Sequence, residues 1–339
     1  MSEPLLAAPK STAALRELLE RAQSGLAAFV STDLAVLRVA GSDRARWLHA
    51  QCTQDVKQLA AGAAVNACVL DARGRNLGPI VVGAAAETFE VVLPAAEAEP
   101  LLAHWRRFII AEDVRVDGVD ADVRLLTGLG AVPSELFSDW PPIDRPKAAR
   151  VTVADRPVTV INDPACPTPV WIVVLPREDD VATAFDARIA ARGGERMHAS
   201  VFDALRVRMG RPRWGVDVDA TFLPKECGDE ASTTSYTKGC YTGQEVVAKL
   251  HFLGQPRRML RRVSWKGGPV APGAPLRDGS GQPVGKITSS APATEPGRWV
   301  GLAVAEGPKR LESGLTASAM DIDDEPVDVA FAAPTVLAP

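Results

Sequence analysis

The chain has 339 residues, 46% apolar and 24% charged, which is the composition of a globular protein and too long for one ordinary core, so two or three domains are expected. Its net charge of −4 argues against a global attraction to nucleic acid or to an anionic membrane and leaves only local basic patches. No run of about eighteen apolar residues is present, so no membrane span is expected.

Cys52, Cys68, Cys166, Cys227 and Cys240 are odd in number and show no Cys-x-x-Cys spacing. That argues against a disulfide framework and a zinc ribbon, and predicts a reduced, cytoplasmic protein. Met1 to Lys10 carries Glu3, Pro4 and Pro9 where a leader needs basic and then apolar residues, so a flexible N-terminus is expected over 1–10.

Ser11 to Ala28 has the spacing of an amphipathic helix, with Gly25 as a stop signal. Leu34 to Val39 is a strand, and Ser42 or Asp43 caps a helix that turns Ala45, Leu48 and Cys52 inward. Strands follow at Ala64–Leu70, Pro79–Ala84 and Thr88–Leu93, with the breaker-rich turn Asp71-Ala72-Arg73-Gly74-Arg75 after the first. Ala95 to Phe108 is helical, and Val114–Val116 and Val123–Leu126 are strands. Val132 to Ala148 is a linker or long loop, and Val151–Val153 with Val158–Ile161 is a hairpin. Val170–Leu175 is a buried strand followed by a helix over Asp179–Arg192.

That last unit and the earlier Phe89–Pro94 unit both run apolar strand, Leu-Pro, acidic patch, Ala-rich helix. They are either a pseudo-repeat, implying an α+β duplication, or two common strand–helix units. Met197 to Met209 is helical, and Arg211 to Thr237 is a loop long enough to suggest function. From Pro256 onward five short strands separated by Gly/Pro/Asp turns predict a small antiparallel barrel or sandwich.

Chemistry-bearing motifs are few. Gly128-Leu129-Gly130 fails as a dinucleotide fingerprint because Pro133 takes the third glycine site, and Gly281 to Lys286 fails as a phosphate loop and suits a hairpin edge. His49, His104, His198 and His251 lack metal-ligand spacing and suit packing roles; Cys227 with Cys240 would make only a weak two-thiol site.

Lys238-Gly239-Cys240-Tyr241-Thr242-Gly243-Gln244-Glu245 is different, because it gathers two glycines, a thiol, a phenol, an ammonium, an amide and a carboxylate without one aliphatic residue. Gly239 and Gly243 would allow positive φ or close approach. Cys240 is either a thiolate favoured by Lys238 and exposed backbone amides, or a buried thiol in a structural turn. Tyr241 either stacks on a planar ligand or packs. Arg257, Arg258, Arg261, Arg262 and Lys266 are either a docking strip for an anionic tail or RNA, or a solvated strand edge.

The eight-residue stretch resembles the Lys-Gly-Cys-Tyr-x-Gly-Gln-Glu signature of the YgfZ family, folate-binding relatives of the aminomethyltransferases of the glycine cleavage system. Seven specified positions arise by chance on the order of once in a billion starts, so the match is specific. Three further stretches are similar to family features. They are Gln51-Cys52-Thr53-Gln54-Asp55-Val56, the Asp71–Arg75 turn, and Val284-Gly285-Lys286-Ile287-Thr288-Ser289.

The resemblance implies an α+β fold, a three-domain aminomethyltransferase-like ring of two related α+β domains plus a small C-terminal antiparallel β-barrel. The expected division is 11–60 with 120–250 as a discontinuous folate-binding domain, 61–119 as the second, and 256–335 as the barrel. It also implies tetrahydrofolate or a derivative as cofactor, and iron–sulfur client or assembly proteins as partners, including radical enzymes that modify tRNA. No membrane partner and no direct nucleic-acid contact is expected.

On that basis Cys240 is the reactive or transiently cluster-contacting thiol, without a resident metal, and Lys238 lowers its pKa. Tyr241 and Gln244 contact or orient ligand, Glu245 holds the loop through hydrogen bonds, and Gly239 and Gly243 permit the turn. Arg208 and Arg258 complete the candidate ligand-binding set. Two positions depart from the aminomethyltransferases. Arg208 stands where they carry a pterin-binding glutamate, and a cation cannot accept the pterin's N–H donors. Arg75-Asn76-Leu77 follows Gly74 without their catalytic acid, which disfavours ordinary aminomethyl transfer. A non-catalytic scaffold that docks a partner or RNA through the basic run is the remaining alternative.

Overall fold

A computed structural model of the chain describes residues 8–127, 136–141, 147–163, 169–228, 230–307 and 316–332. The first seven residues, Gly128-Leu129-Gly130, most of the expected 132–148 linker and Cys166 lie outside these. In chain order the first elements are α1 (Thr12–Ser24), β1 (Ala27–Ser31), β2 (Leu34–Ala40), α2 (Arg44–Gln51), β3 (Ala64–Leu70), β4 (Asn76–Ala84), β5 (Thr88–Pro94), α3 (Ala95–Arg106), β6 (Arg115–Val119) and β7 (Ala121–Thr127). Next come β8 (Ala148–Val153), β9 (Arg156–Asn162), β10 (Val170–Pro176), α4 (Asp179–Ala191), β11 (Glu195–Met197), α5 (Ala199–Met209), the single turn α6 (Glu230–Thr233) and α7 (Gln244–Leu253). The barrel strands are β12 (Arg258–Lys266), β13 (Pro275–Arg277), β14 (Pro283–Pro292), β15 (Arg298–Glu306), β16 (Thr316–Met320) and β17 (Pro326–Phe331).

The strands form three sheets: β11-β1-β7-β10-β9-β8, β3-β4-β5-β2-β6, and a closed barrel β12-β15-β14-β13-β16-β17. The grouping of 11–60 with 120–250 thus spans both open sheets, because β2 lies between β5 and β6 in the second sheet. The inner faces of the two open sheets meet in one core, where Phe29 and Ile172 lie with Val36, Val81 and Val92 under α1 and α5. The outer face of the second sheet is covered by α2 and α3 through Leu48, Leu101 and Trp105. The outer face of the first is covered by α4 through Val181, Phe185 and Ile189. The two strand–Leu-Pro–helix units therefore share one local design, an interior strand followed by a helix over its sheet's outer face.

Three differences from the sequence reading have physical causes. Helix α1 begins as expected, with the Ser11 side chain accepting from the Ala14 amide, but ends at Ser24. Ala27 to Ser31, compatible with helix by propensity, pairs instead between β7 and β11, since tertiary pairing overrides a weak local preference. Met197, the expected helix start, pairs instead with Phe29 at the sheet edge, together with Glu195 and Arg196. The barrel has six strands, and the additional one, β13, has only three residues and begins at a proline.

The barrel is fastened to α5 by a buried polar knot. Arg206 of α5 reaches Asp217 at 2.6 Å, with side-chain exposures of 5% and 0%. Asp217 also accepts from Thr288 Oγ1 at 2.5 Å and Ser289 Oγ at 2.7 Å, both on β14. The Val-Gly-x-x-Thr-Ser hairpin thus supplies the barrel's side of this junction. Arg206→Ala would strand a buried carboxylate and should cost about 3–5 kcal/mol, read as a lower urea midpoint at unchanged slope.

Candidate functional site

The loop that carries Cys240 is built on the end of α2. The Lys238 ammonium donates to the carbonyls of His49 (2.5 Å), Cys52 (2.7 Å) and Gln54 (2.9 Å). The Thr242 amide donates to Ala50 O at 3.2 Å and the Ser235 amide to Thr53 O at 3.0 Å. Thr53 Oγ1 donates to Thr233 O (2.5 Å) and accepts from the Cys68 amide (2.8 Å). The Gln-x-Thr-x-Asp-Val stretch is therefore the floor on which the loop rests.

The Asp71–Arg75 turn forms the other wall. Gly243 sits at φ +82°, and a Cβ there would lie 2.6 Å from Asp71 O and 3.1 Å from the Gly74 Cα. A Cβ on Gly74, at φ +76°, would lie 2.8 Å from the Val246 Cβ. The two glycines permit the two turns to touch, and three separate sequence motifs meet at this point.

The predicted site residues then fall as follows. Cys240 is exposed. Lys238 is buried, and its ammonium is committed to main-chain carbonyls and lies 4.9 Å from the centre of the Tyr241 ring, so it latches the loop to α2. Burial lowers its pKa. Tyr241 is buried against Cys68, Leu70 and Val247, and burial pushes its phenol up to about 12. Gln244 Oε1 accepts from the Tyr241 amide at 3.2 Å at the start of α7, an internal brace. Glu245 is exposed and makes no side-chain hydrogen bond among the described residues, so the loop is held by Lys238 and not by Glu245. Gly243 needs its left-handed conformation, while Gly239 does not adopt one.

Arg208 and Arg258 lie away from the loop. Arg208 donates to Pro292 O at 2.7 Å and to Gln23 Oε1 at 3.2 Å, tying α5 to the barrel and α1. Arg258 donates to Thr221 O at 2.6 Å and stacks on Phe222 at 3.8 Å. In the rest of the basic run Arg261 is buried and donates to Ala332 O at 2.7 Å, and Arg262 donates to Arg208 O at 2.9 Å. Strand alternation on β12 thus splits the run between interior and surface, and no continuous docking strip results.

A cavity of about 770 Å³ lies where the two open sheets, α5 and barrel strands β12 and β15 meet. Residues 238–245 do not line it. The 211–237 loop and Asn76 contribute to its polar wall, whereas Asn66 and Asp163 belong to no sequence motif. The Asn66 amide nitrogen is 3.5 Å from Asp163 Oδ1, Asp163 pairs with Arg211, and Asn66 Oδ1 is buried with no hydrogen-bond partner among the described residues. Asn76, from the stretch after Gly74, points its amide nitrogen at the sulfurs of Cys68 (3.5 Å) and Cys227 (4.0 Å). Cys227 is buried on this wall, so it and exposed Cys240 do not form a pair. No cluster of three or more His, Cys, Asp or Glu with metal-binding geometry occurs among the described residues. Cavity and loop meet through the packing of Tyr241 on Cys68 and through Thr53 Oγ1, which bonds Thr233 O and the Cys68 amide.

His49, a packing residue by its sequence spacing, belongs to the loop's floor. His49 Nδ1 lies 3.1 Å from Asp55 Oδ1, and its Nε2 faces Gly239, where a Cβ would lie 3.5 Å away.

No family model matches the chain. Curated relatives do. It is 25% identical over 252 residues to the tRNA-modifying protein YgfZ of Yersinia enterocolitica, covering 73% of each chain. It is 27% identical over 233 residues to its counterpart in an Enterobacter species (67% of this chain, 68% of the relative) and 26% identical over 235 residues to that of Escherichia coli K12 (67% and 68%). The chain is a relative of the YgfZ proteins. Among solved structures, the glycine cleavage system aminomethyltransferase T of Bartonella henselae superposes with a TM-score of 0.80 over 96% of this chain and 89% of its own, at 15% identity. That likeness is one of fold, and it makes the architecture aminomethyltransferase-like, with the closed barrel at the C-terminal end. No helix among the described residues of this YgfZ relative is long and apolar enough to cross a membrane.

Lys238→Met removes a charged donor from three carbonyls and should lower stability by about 3 kcal/mol. It should also raise amide exchange over 49–54 and 238–244 while the barrel strands stay protected, which mass-spectrometric hydrogen exchange reads directly.

Proposed function

We propose that this chain is a tetrahydrofolate-binding accessory factor that serves the assembly or maintenance of iron–sulfur proteins, including those that modify tRNA, as a cytoplasmic protein. The ligand occupies the central cavity and the Cys240 loop is the surface presented to clients. The observation that carries the folate half is Asn66 Oδ1, a buried amide oxygen without a hydrogen-bond partner among the described residues, on the wall of the cavity. A native structure rarely leaves such an acceptor unpaired, and a pterin-type ring offers N–H donors of the kind it needs. The volume of about 770 Å³ is in the range that encloses a ligand of this size. The family resemblance and the name of the curated relatives, tRNA-modifying protein, supply the process.

The cavity disfavours one-carbon transfer as the second reading. Its carboxylates are already held: Asp163 by Arg211, Asp203 by Arg206, Glu97 by the Trp214 indole, Asp33 by Arg213 and Asp219 by Thr221. Asn76 contributes an amide, which exchanges no proton near neutral pH. A general acid or base is what that chemistry would need.

Calorimetric titration with tetrahydrofolate tests the ligand. One ligand should bind per chain, and Asn66→Ala should weaken it roughly fivefold, about 1 kcal/mol for one hydrogen bond. No heat at the highest soluble ligand concentration removes the folate half. Cys240→Ala should bind tetrahydrofolate as the parent does yet fail to restore iron–sulfur enzyme activity in a deletion strain; full restoration removes the thiol's role.

A further inference from the structure

We infer that Asn66, Asp163 and Arg211 form an acceptor–acceptor–donor row on the cavity wall, which selects a 2-amino-4-oxo ring and rejects its 2,4-diamino counterpart. The inference rests on the cavity being the tetrahydrofolate site, and it names the part of that ligand which the wall reads.

The order of the row follows from its contacts. All three residues line the cavity. The Asn66 amide nitrogen lies 3.5 Å from Asp163 Oδ1, and Asp163 Oδ2 pairs with Arg211 Nη1. Asp163 is therefore held between the other two. With its nitrogen turned to Asp163, Asn66 is left with Oδ1, which is buried with no hydrogen-bond partner among the described residues. A carboxylate only accepts, and its two oxygens have room for more than the contacts with these neighbours; a guanidinium only donates, through several N–H groups. Among the carboxylates that line the cavity, Asp163 is the buried one, at 1% exposure beside Asn66 at 6%. A ligand that turns the wrong group to such acceptors loses the hydrogen bond outright.

The ring matches the row in one form only. Along one edge a 2-amino-4-oxo pyrimidine presents the 2-amino N–H, the N3–H and the 4-oxygen, in the order donor, donor, acceptor. That is the complement of the wall. The diamino ring presents donor, acceptor, donor along the same edge. Its N3 lone pair would face the Asp163 carboxylate and its 4-amino group the Arg211 guanidinium. A site built to hydrogen-bond rejects an analogue that leaves buried polar groups mismatched. A diamino ring can avoid the mismatch by taking up a proton and docking through another edge as a cation on a carboxylate. Here the Asp163 charge is already met by Arg211, and a bound cation would sit against that guanidinium.

Calorimetry on the full chain at pH 7 with tetrahydrofolate and tetrahydroaminopterin, which differ only in a 4-oxo or a 4-amino group, reads the selection. Tetrahydrofolate should bind roughly tenfold tighter or more. Asp163→Asn puts an amide that can donate opposite N3 and should narrow the ratio to about threefold or less. Arg211→Met leaves the carboxylate without its cation and should narrow the ratio or reverse it. Asn66 faces the 2-amino group common to both ligands, so Asn66→Ala should weaken both alike. Residues that merely hold the wall in shape would weaken both ligands alike at all three positions. The parent needs no variant and decides first: a ratio below about threefold, or tighter binding of the diamino compound, overturns the row. So does a parent selection that both Asp163→Asn and Arg211→Met leave unchanged. If Arg211→Met fails to melt cooperatively, the isosteric Asp163→Asn decides by the same ratio. Tetrahydrofolate binding without selection strikes the row and leaves the folate reading standing, whereas binding of neither ligand strikes the folate reading itself.

Discussion

The Lys238 ammonium is a buried cation whose hydrogen bonds all go to main-chain carbonyls at and just beyond the end of α2. Burying an unpaired ammonium costs several kcal/mol. Three carbonyl dipoles, the negative end of a helix and the face of Tyr241 offset that cost without a carboxylate partner. The arrangement is strict, because it works only if the chain near residue 238 stays beside residues 49–54. The positions of Cys240, Tyr241 and the start of α7 follow from it. Gly243 against Gly74 then fixes the far end of the loop, since neither close approach tolerates a side chain.

The molecule therefore holds two separate polar assemblies. One is the loop, with its exposed thiol. The other is the cavity between the sheets, lined on the barrel side by Met259 to Arg262 and Leu302 and bordered by Arg206 of the polar knot. Tyr241 is the link: its ring covers Cys68, and Cys68 is cavity wall. A ligand that pressed on the Cys68 side of the wall would act on the residue next to Cys240, which is a physical route by which cavity occupancy and thiol presentation can be coupled.

Much of the fold was legible because period and breakers agreed. The interior strands β5 and β10 are continuous apolar runs followed by Leu-Pro and a helix, and the barrel announced itself by short strands between Gly and Asp turns. What stayed hidden was edge pairing. Ala27 to Ser31 and residues 195–197 have no strand signal of their own and become strands because a partner is there. In the site the composition of residues 238–245 identified the loop but misassigned roles within it. A lysine two residues from a cysteine suggests a charge on the thiol, whereas the long lysine stem carries its ammonium to α2. Arg208 and Arg258 illustrate the same limit, since a motif position does not say which way a long side chain runs. Asn66 and Asp163 gave no signal, being isolated polar residues; Arg211 lies at the start of the long 211–237 loop, whose length alone pointed to function.

The separation of cavity from thiol bears on how such a fold leaves one chemistry for another. In the cavity every described carboxylate is held by a partner, and the residue after the Gly74 turn is an amide between two sulfurs. That wall can recognise a ring through an unpaired amide oxygen, but it presents no poised proton donor. The exposed thiol lies outside it, on the loop fastened to the end of α2. On the proposed reading, binding and bond-making would not share a surface. A ligand buried in the cavity does not touch the electrophile that the thiol would meet. The thiol, on an exposed turn, is open to a macromolecular partner too large for a cavity of about 770 Å³. An accessory factor for other proteins needs that division, and a one-carbon transferase, whose substrate must react while bound, would be disabled by it.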